Sequence, residues 1–259
     1  MKRLHLFEFN DLSWYPDMWR NMLTDYLNFV ETKFEMFKYI VPKFREIIDK
    51  SPNKNIIDLC SGAAGPIVET KKWLEKDSID TIKITLTDLY PNLGKFESAC
   101  RDSENINFLK TPVNATNVPS ELKGIRTLFN AFHHFDQENA RNILVDAANK
   151  REGIAIFEAT ERSLGGILGM FFAPLIVLLT TPFIKPFKLS RLFWTYLIPV
   201  IPFTVLWDGL VSAIRTYSTD ELQQMTAEIG AQNYVWETGQ IKVKGAGNIT
   251  YLIGYPETK

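Results

Sequence analysis

From residue 56 to residue 157, short apolar runs alternate with longer segments of helical period, and this alternation restricts the chain to very few folds. Ile56, Ile57 and Leu59 read as a buried parallel strand. A helix over 68–75 then precedes a strand at 81–87. A helix over 95–101 precedes a strand at 106–109, and a strand at 127–129 leads through a helix over 137–149 to a strand at 154–157. Strands and helices in alternation imply a parallel sheet covered on both faces. Further on, Ser218 and Glu221 are spaced as a capping box for a helix ending near Gly230. Strands at 234–243 and 249–255 follow, joined by the short KGAGN link, so the sheet is expected to end in an antiparallel pair.

Two regions stand outside this pattern. From Asp17, the residues Met18, Met22, Tyr26, Val30, Phe34, Phe37 and Val41 recur at intervals of three and four, predicting one amphipathic helix interrupted at Pro42. A short helix over 43–49 is expected after it. Residues 163–184 and 192–207 contain no charged side chain, and Lys185, Lys188 and Arg191 lie between them. The expected division is therefore an N-terminal helical lid (1–50), an α/β domain (51–162 with 208–259) and an apolar helical insertion (163–207).

The turn between the first strand and the first helix reads Asp58-Leu-Cys-Ser-Gly-Ala-Ala-Gly65. Small residues there let the backbone approach a nucleotide, and the helix N-terminus offers N–H groups. Asp88 closes the next strand in TLTDLY, where a carboxylate can accept both hydroxyls of a ribose. Two cofactor classes share this arrangement. In the nicotinamide reading, Cys60-x-Gly62-x-x-Gly65 stands for the dinucleotide fingerprint. However, a Tyr-x-x-x-Lys pair occurs only at Tyr39 and Lys43, upstream of the glycine turn, and a terminal hairpin does not suit a typical dehydrogenase.

DLCSGAAG resembles the first motif of the class I S-adenosylmethionine methyltransferases, with Cys60 and Ala64 standing where that motif has glycines. The resemblance covers roughly 55–158 and resumes from 208, where DGLVSAIRTYS is similar to a phrase of this group. It implies a Rossmann-like α/β fold, S-adenosylmethionine as cofactor, and a cofactor site made by Asp58, Ser61, Gly62, Gly65 and the ribose-binding Asp88. PVNAT resembles the segment that meets the adenine, placing Asn114 and Ala115 there, although Asn114 replaces an acid. LFNAFHHF resembles the next motif and places Asn130 near the cofactor's methionine end. In the family, the N-terminal helix often lies over the active site, so Trp14, Tyr15 and Trp19 are either its sulfonium-facing aromatics or plain core.

Methyl transfer is an in-line displacement at a sulfonium methyl, and it needs a base only where the nucleophile carries a proton. His133, His134 and Glu158 follow the fourth and fifth strands and are the candidate catalytic residues, each with an ordinary structural role as the alternative. Adjacent histidines without a nearby third ligand make a poor metal site, so no metal is expected. A net charge of −1 without a basic run suggests no nucleic-acid partner. The N-terminus has no uninterrupted apolar core, and the two cysteines, Cys60 and Cys100, form no disulfide framework. A cytoplasmic protein is therefore expected. The apolar insertion would dip into or lie on the cytoplasmic leaflet of a membrane with its basic loop at the headgroups, or form a soluble lid or dimer interface. The function expected is methyl transfer to a small, lipophilic acceptor, against a nicotinamide oxidoreductase or a non-catalytic lipid-surface module on the same fold.

Overall fold

The computed structural model describes residues 1–76, 82–101, 103, 105–245 and 247–257. It divides into two compact units: Glu35–Ala159 with Ser218–Lys259, and Met1–Phe34 with Thr160–Tyr217.

The first unit is a seven-stranded sheet of β1 (Ile56–Asp58), β2 (Ile84–Leu86), β3 (Ile106–Phe108), β4 (Ile125–Phe129), β5 (Ile154–Glu158), β6 (Tyr234–Val243) and β7 (Gly247–Pro256). The order is β3-β2-β1-β4-β5-β7-β6. The first five strands are parallel, while β7 runs antiparallel between β5 and β6. The expected mostly parallel sheet with a terminal hairpin is thus observed. Thr81, the predicted start of the second strand, and Ala246, in the KGAGN link, lie outside the described residues. Every residue of β1, β4 and β5 is buried, as strands covered on both faces require. The Ser218–Glu221 capping box is formed, and Gly230 ends that helix at φ 60°, a left-handed conformation that costs glycine nothing.

The helix predicted from Asp17 to Val41 ends early, at Lys33, and the short helix expected over 43–49 is observed as Val41–Lys50. A helix spans Asp17–Lys33, Glu35 turns left-handed at φ 48°, and a short 3-10 turn leads into the helix Val41–Lys50. Pro42 stands in the first turn of that helix, as expected, since a proline near a helix N-terminus gives up no needed N–H. The stripe stays in phase across the break but serves two cores. Met22 and Tyr26 pack in the second unit, and Phe37 and Val41 in the first.

The second unit is helical. Leu164–Met170, Ala173–Thr180, Leu189–Leu192 and Val200–Arg215 accompany Asp17–Lys33, around a core that includes Met22, Leu23, Tyr26, Val177, Ile201 and Val205. The unit includes 208–217, which the sequence assigned to the cofactor domain. Asp208, Ser212 and Arg215, separated by four and three, share one helix face and hold the N-terminal strap. Asp208 accepts the N–H groups of Phe9 (2.7 Å) and Asn10 (3.2 Å). Ser212 donates to Glu8 (3.0 Å), and Arg215 donates to Asp11 (2.6 Å). This is what the DGLVSAIRTYS phrase does within its own unit.

The basic loop of the insertion also differs from expectation. Arg191 is 2% exposed. Its guanidinium donates to Asp25 at 2.6 Å and to the carbonyls of Ile184 and Pro186 at 3.0 and 3.1 Å. Lys188 reaches the same Asp25 oxygen at 3.0 Å. Arg191 therefore ties the loop to the helix Asp17–Lys33 and is not presented to headgroups, whereas Lys185 is exposed. Trp14, Tyr15 and Trp19 all belong to this unit: Tyr15 is buried with its hydroxyl 2.8 Å from that of Thr204, Trp19 packs edge-on against Trp194, and Trp14 is exposed.

Candidate functional site

The strand order reverses between β1 and β4, and the carboxyl ends of the strands beside such a switch point are where open α/β sheets bind ligands. The sequence-predicted residues fall there. Asp58 ends β1, Asp88 follows β2, Asn130 follows β4 and Glu158 ends β5.

The turn after β1 has an unusual backbone. Cys60, Gly62 and Ala64 all have positive φ, at 55°, 53° and 61°. The two non-glycines are the residues that replace glycines of the resembled motif. The turn thus keeps a glycine-like path at positions where a Cβ costs roughly 1–2 kcal/mol. Strain of this size persists only where the surroundings fix it, and here they do. Ser61 Oγ donates to the Asp58 carbonyl (2.9 Å) and accepts from the Thr87 N–H (3.1 Å), while Gly62 N–H donates to Asp88 Oδ2 (2.9 Å). Ser61 therefore joins the ends of β1 and β2. Gly65 begins the helix Gly65–Lys76. Burial of the thiol pushes the Cys60 pKa far up, with the charges of Asp88 and Asp58 adding to it, which favours the neutral thiol.

Asp58 is buried and accepts from Thr127 Oγ1 at 2.6 Å. Burial raises its pKa to about 7, against the hydrogen bonds from Thr127 and Ser61, and the charge of Asp88 adds to the rise. A carboxyl raised on folding binds an extra proton in the native state from its unfolded value, 3.8, up to about 7. Its contribution is complete below that window and is lost as pH rises through it, by up to about 1.4 kcal/mol per pH unit. The Asp58→Asn variant cannot ionise, so its stability relative to the parent should improve steadily from about pH 4 to about pH 7 in urea titrations. A pH-independent difference would refute the raised pKa.

Asp88 Oδ1 accepts the Tyr90 N–H and Oδ2 the Gly62 N–H, each at 2.9 Å. A carboxylate offers about four acceptor positions, so two remain for a pair of ribose hydroxyls. Asn114 fits its expected role less well. Its amide oxygen already accepts from the N–H and the hydroxyl of Thr116, both at 2.9 Å, and an adenine amine would have to displace the hydroxyl. Ala115 is buried beside it in the chain. Asn130, left-handed at φ 48°, accepts the Ala159 N–H at 2.7 Å and so spans the ends of β4 and β5.

His133 and Glu158 meet. The register pairs Phe129 with Phe157, so the segments leaving β4 and β5 are neighbours. His133 Nδ1 lies in a very short contact with Glu158 Oε2, and the Phe132 N–H donates to Oε1 at 2.7 Å. Both side chains are buried. Burial alone would raise the Glu158 pKa. The charge and hydrogen bond of His133, the Phe132 N–H and the charge of His134 outweigh it and hold the carboxyl below its ordinary value. A carboxylate only accepts, so Nδ1 is the donor to Glu158, and Nε2, the other ring nitrogen, is buried as well. His134 stacks near His133 with centroids 4.3 Å apart. The sequence singled out both His133 and Glu158 but not their pairing. The available signal was that the two follow consecutive strands of a parallel sheet, which are neighbours in most cases. Leu89 and Tyr90, directly after Asp88, are exposed.

Strand order, reversed last strand and left-handed turn together define the class I S-adenosylmethionine methyltransferase-like fold. No protein-family model and no curated protein sequence matches the chain. Among solved structures it is similar to the plantazolicin methyltransferase BpumL in complex with SAH, with a TM-score of 0.61 at 13% identity, over 96% of this chain and 94% of that one. It is also similar to the plantazolicin methyltransferase BamL in complex with a triazolic desmethylPZN analog and SAH, with a TM-score of 0.57 at 11% identity, over 94% of this chain and 92% of that one. At such identities the likeness is one of fold.

Proposed function

We propose that the protein transfers a methyl group from S-adenosylmethionine to a small, lipophilic acceptor. The observation that carries this reading is the pairing of the left-handed turn 60–64 with Asp88, whose carboxylate keeps two acceptor positions at the mouth of the β1/β4 switch point. Solved structures of the same fold are complexes with SAH, which supports the choice of cofactor over a nicotinamide. The cofactor, when bound, supplies an electrophilic methyl on sulfur. Asp88 would hold its ribose, and the turn would let the backbone approach it. His133 Nε2 takes the proton of an acceptor hydroxyl or amine, with Glu158 fixing the tautomer and stabilising the imidazolium. A lipophilic acceptor is supported by the chain itself: shortly after Glu158 it enters the uncharged stretch 163–184.

Calorimetry with S-adenosylmethionine, SAH and a nicotinamide dinucleotide tests the reading. Asp88→Ala should weaken binding of the first two by roughly 1.5–3 kcal/mol, the range for hydrogen bonds to a charged group. Equal affinity in a folded Asp88→Ala variant, or binding of the nicotinamide alone, would remove the assignment. A screen of lipid extracts for a gain of one methyl group would then identify the acceptor.

A further inference from the structure

Among the described residues, Leu164–Phe183 is one stretch of 20 residues long and apolar enough to cross a membrane, and only 11% of it is buried. Leu189–Leu197 and Val200–Arg215 form a second such pair, bent by 73°. The stretch has two faces. Val177 is buried in the core that it shares with Met22, Tyr26, Ile201 and Val205, while Leu164, Leu168, Phe172, Leu175 and Leu179 are exposed, Phe172 by 65% and Leu179 by 64%. The helix Asp17–Lys33, which contributes to the same core, carries Asp17, Arg20, Asp25, Glu31 and Lys33 and cannot enter hydrocarbon. A span needs an apolar or bundled surface all round, so an apolar face sharing a core with a charged helix suits a hairpin lying flat in one leaflet.

We propose that this outer face is a docking surface for an anionic lipid leaflet, embedded to the level of the headgroup–acyl boundary. Three observations choose lipid over a second copy of the chain. The exposed side chains offer no donor or acceptor, whereas protein interfaces carry about one hydrogen bond per 100–200 Å². Residues 163–207 contain no Asp or Glu, and Lys185 is exposed between Phe183 and Phe187 at the hairpin tip, which complements anionic headgroups. The same unit carries an exposed aromatic group. Phe9 contacts Trp14 (6.4 Å) and Phe203 (5.9 Å), and Trp14 is 67% exposed, the residue types of an interfacial belt. The inference stands on this unit alone and does not require methyl transfer.

Flotation of the intact protein with vesicles of phosphatidylcholine containing about one-third phosphatidylserine tests it. Binding is expected, with quenching of tryptophan by brominated lipid, and it should weaken in salt. Lys185→Gln should lower vesicle affinity about fivefold. Leu168→Glu with Phe172→Glu and Leu179→Glu should lower it by more than about tenfold, because charges at this depth are costly. These positions are exposed, and an unchanged melting temperature and S-adenosylmethionine affinity confirm the fold. Failure to bind these vesicles at low salt overturns the proposal. So does a dimer in sedimentation that the same substitutions dissociate, since that makes the face a homodimer interface.

Discussion

Replacing His133 by alanine should lower turnover by about 10²–10⁴-fold and leave the affinity for S-adenosylmethionine unchanged. A general base contributes in that range, and only if its tautomer and orientation are fixed beforehand. Glu158 does this in the structure: one carboxylate oxygen meets His133 Nδ1 and the other accepts the Phe132 N–H at 2.7 Å. Glu158→Gln keeps an acceptor for Phe132 but removes the charge that supports an imidazolium, so it should lose most of the same rate. The double variant should be no slower than the slower single one, because the two residues act as a unit. His134→Ala serves as the comparison and should be nearly neutral. Single-turnover rates with calorimetric affinities check the set. Equal turnover in His133→Ala, or a rate loss matched by a loss of cofactor affinity, would exclude a base at this position. The acid side has its own sign. The Glu158 carboxyl is held low on folding, so its contribution to stability is complete above its unfolded value of 4.5 and is lost as pH falls through the native pKa.

The second large effect lies in the helical unit. Asp25→Ala should cost about 3–5 kcal/mol, because it leaves Arg191 buried without its counter-charge. Arg191 is 2% exposed and Asp25 7%, and the guanidinium–carboxylate distance is 2.6 Å. Removing one partner is far worse than removing both, since an apolar pair of similar volume incurs no charge desolvation. Asp25→Leu with Arg191→Met should therefore recover most of the loss. Lys188 would remain, and as a partly exposed side chain it can turn to water. Chemical denaturation of the single and double variants measures the difference. A single substitution costing less than about 1 kcal/mol would mean that the pair is solvated in solution.

The fold of the sheet unit was legible because its signals are local. A buried parallel strand must be a short apolar run, a helix must repeat at three and four, and the Ser218–Glu221 box needs only a spacing of three. The Asp58 turn and Asp88 were legible for the same reason, since each lies at a strand end that its own neighbours define. The N-terminal stripe shows where locality fails. Seven apolar residues kept helical phase through Glu35, yet the chain turns left-handed there and shares the stripe between two cores. Periodicity records which residues are buried, not against what.

By itself, then, the sequence determined the sheet, the small-residue turn after β1 with the acid that follows β2, and the uncharged insertion, all set by residue type and spacing along the chain. Three things were decided only by tertiary structure: the union of His133 with Glu158, the clamp of Asp208, Ser212 and Arg215 on residues 8–11, and the burial of Arg191 against Asp25. Each joins groups at least 25 residues apart in the chain, as the separations for His133–Glu158 and Asp25–Arg191, 25 and 166, show. A charge looks the same in sequence whether it faces water or a buried partner, and only the packed chain brings the partner to it.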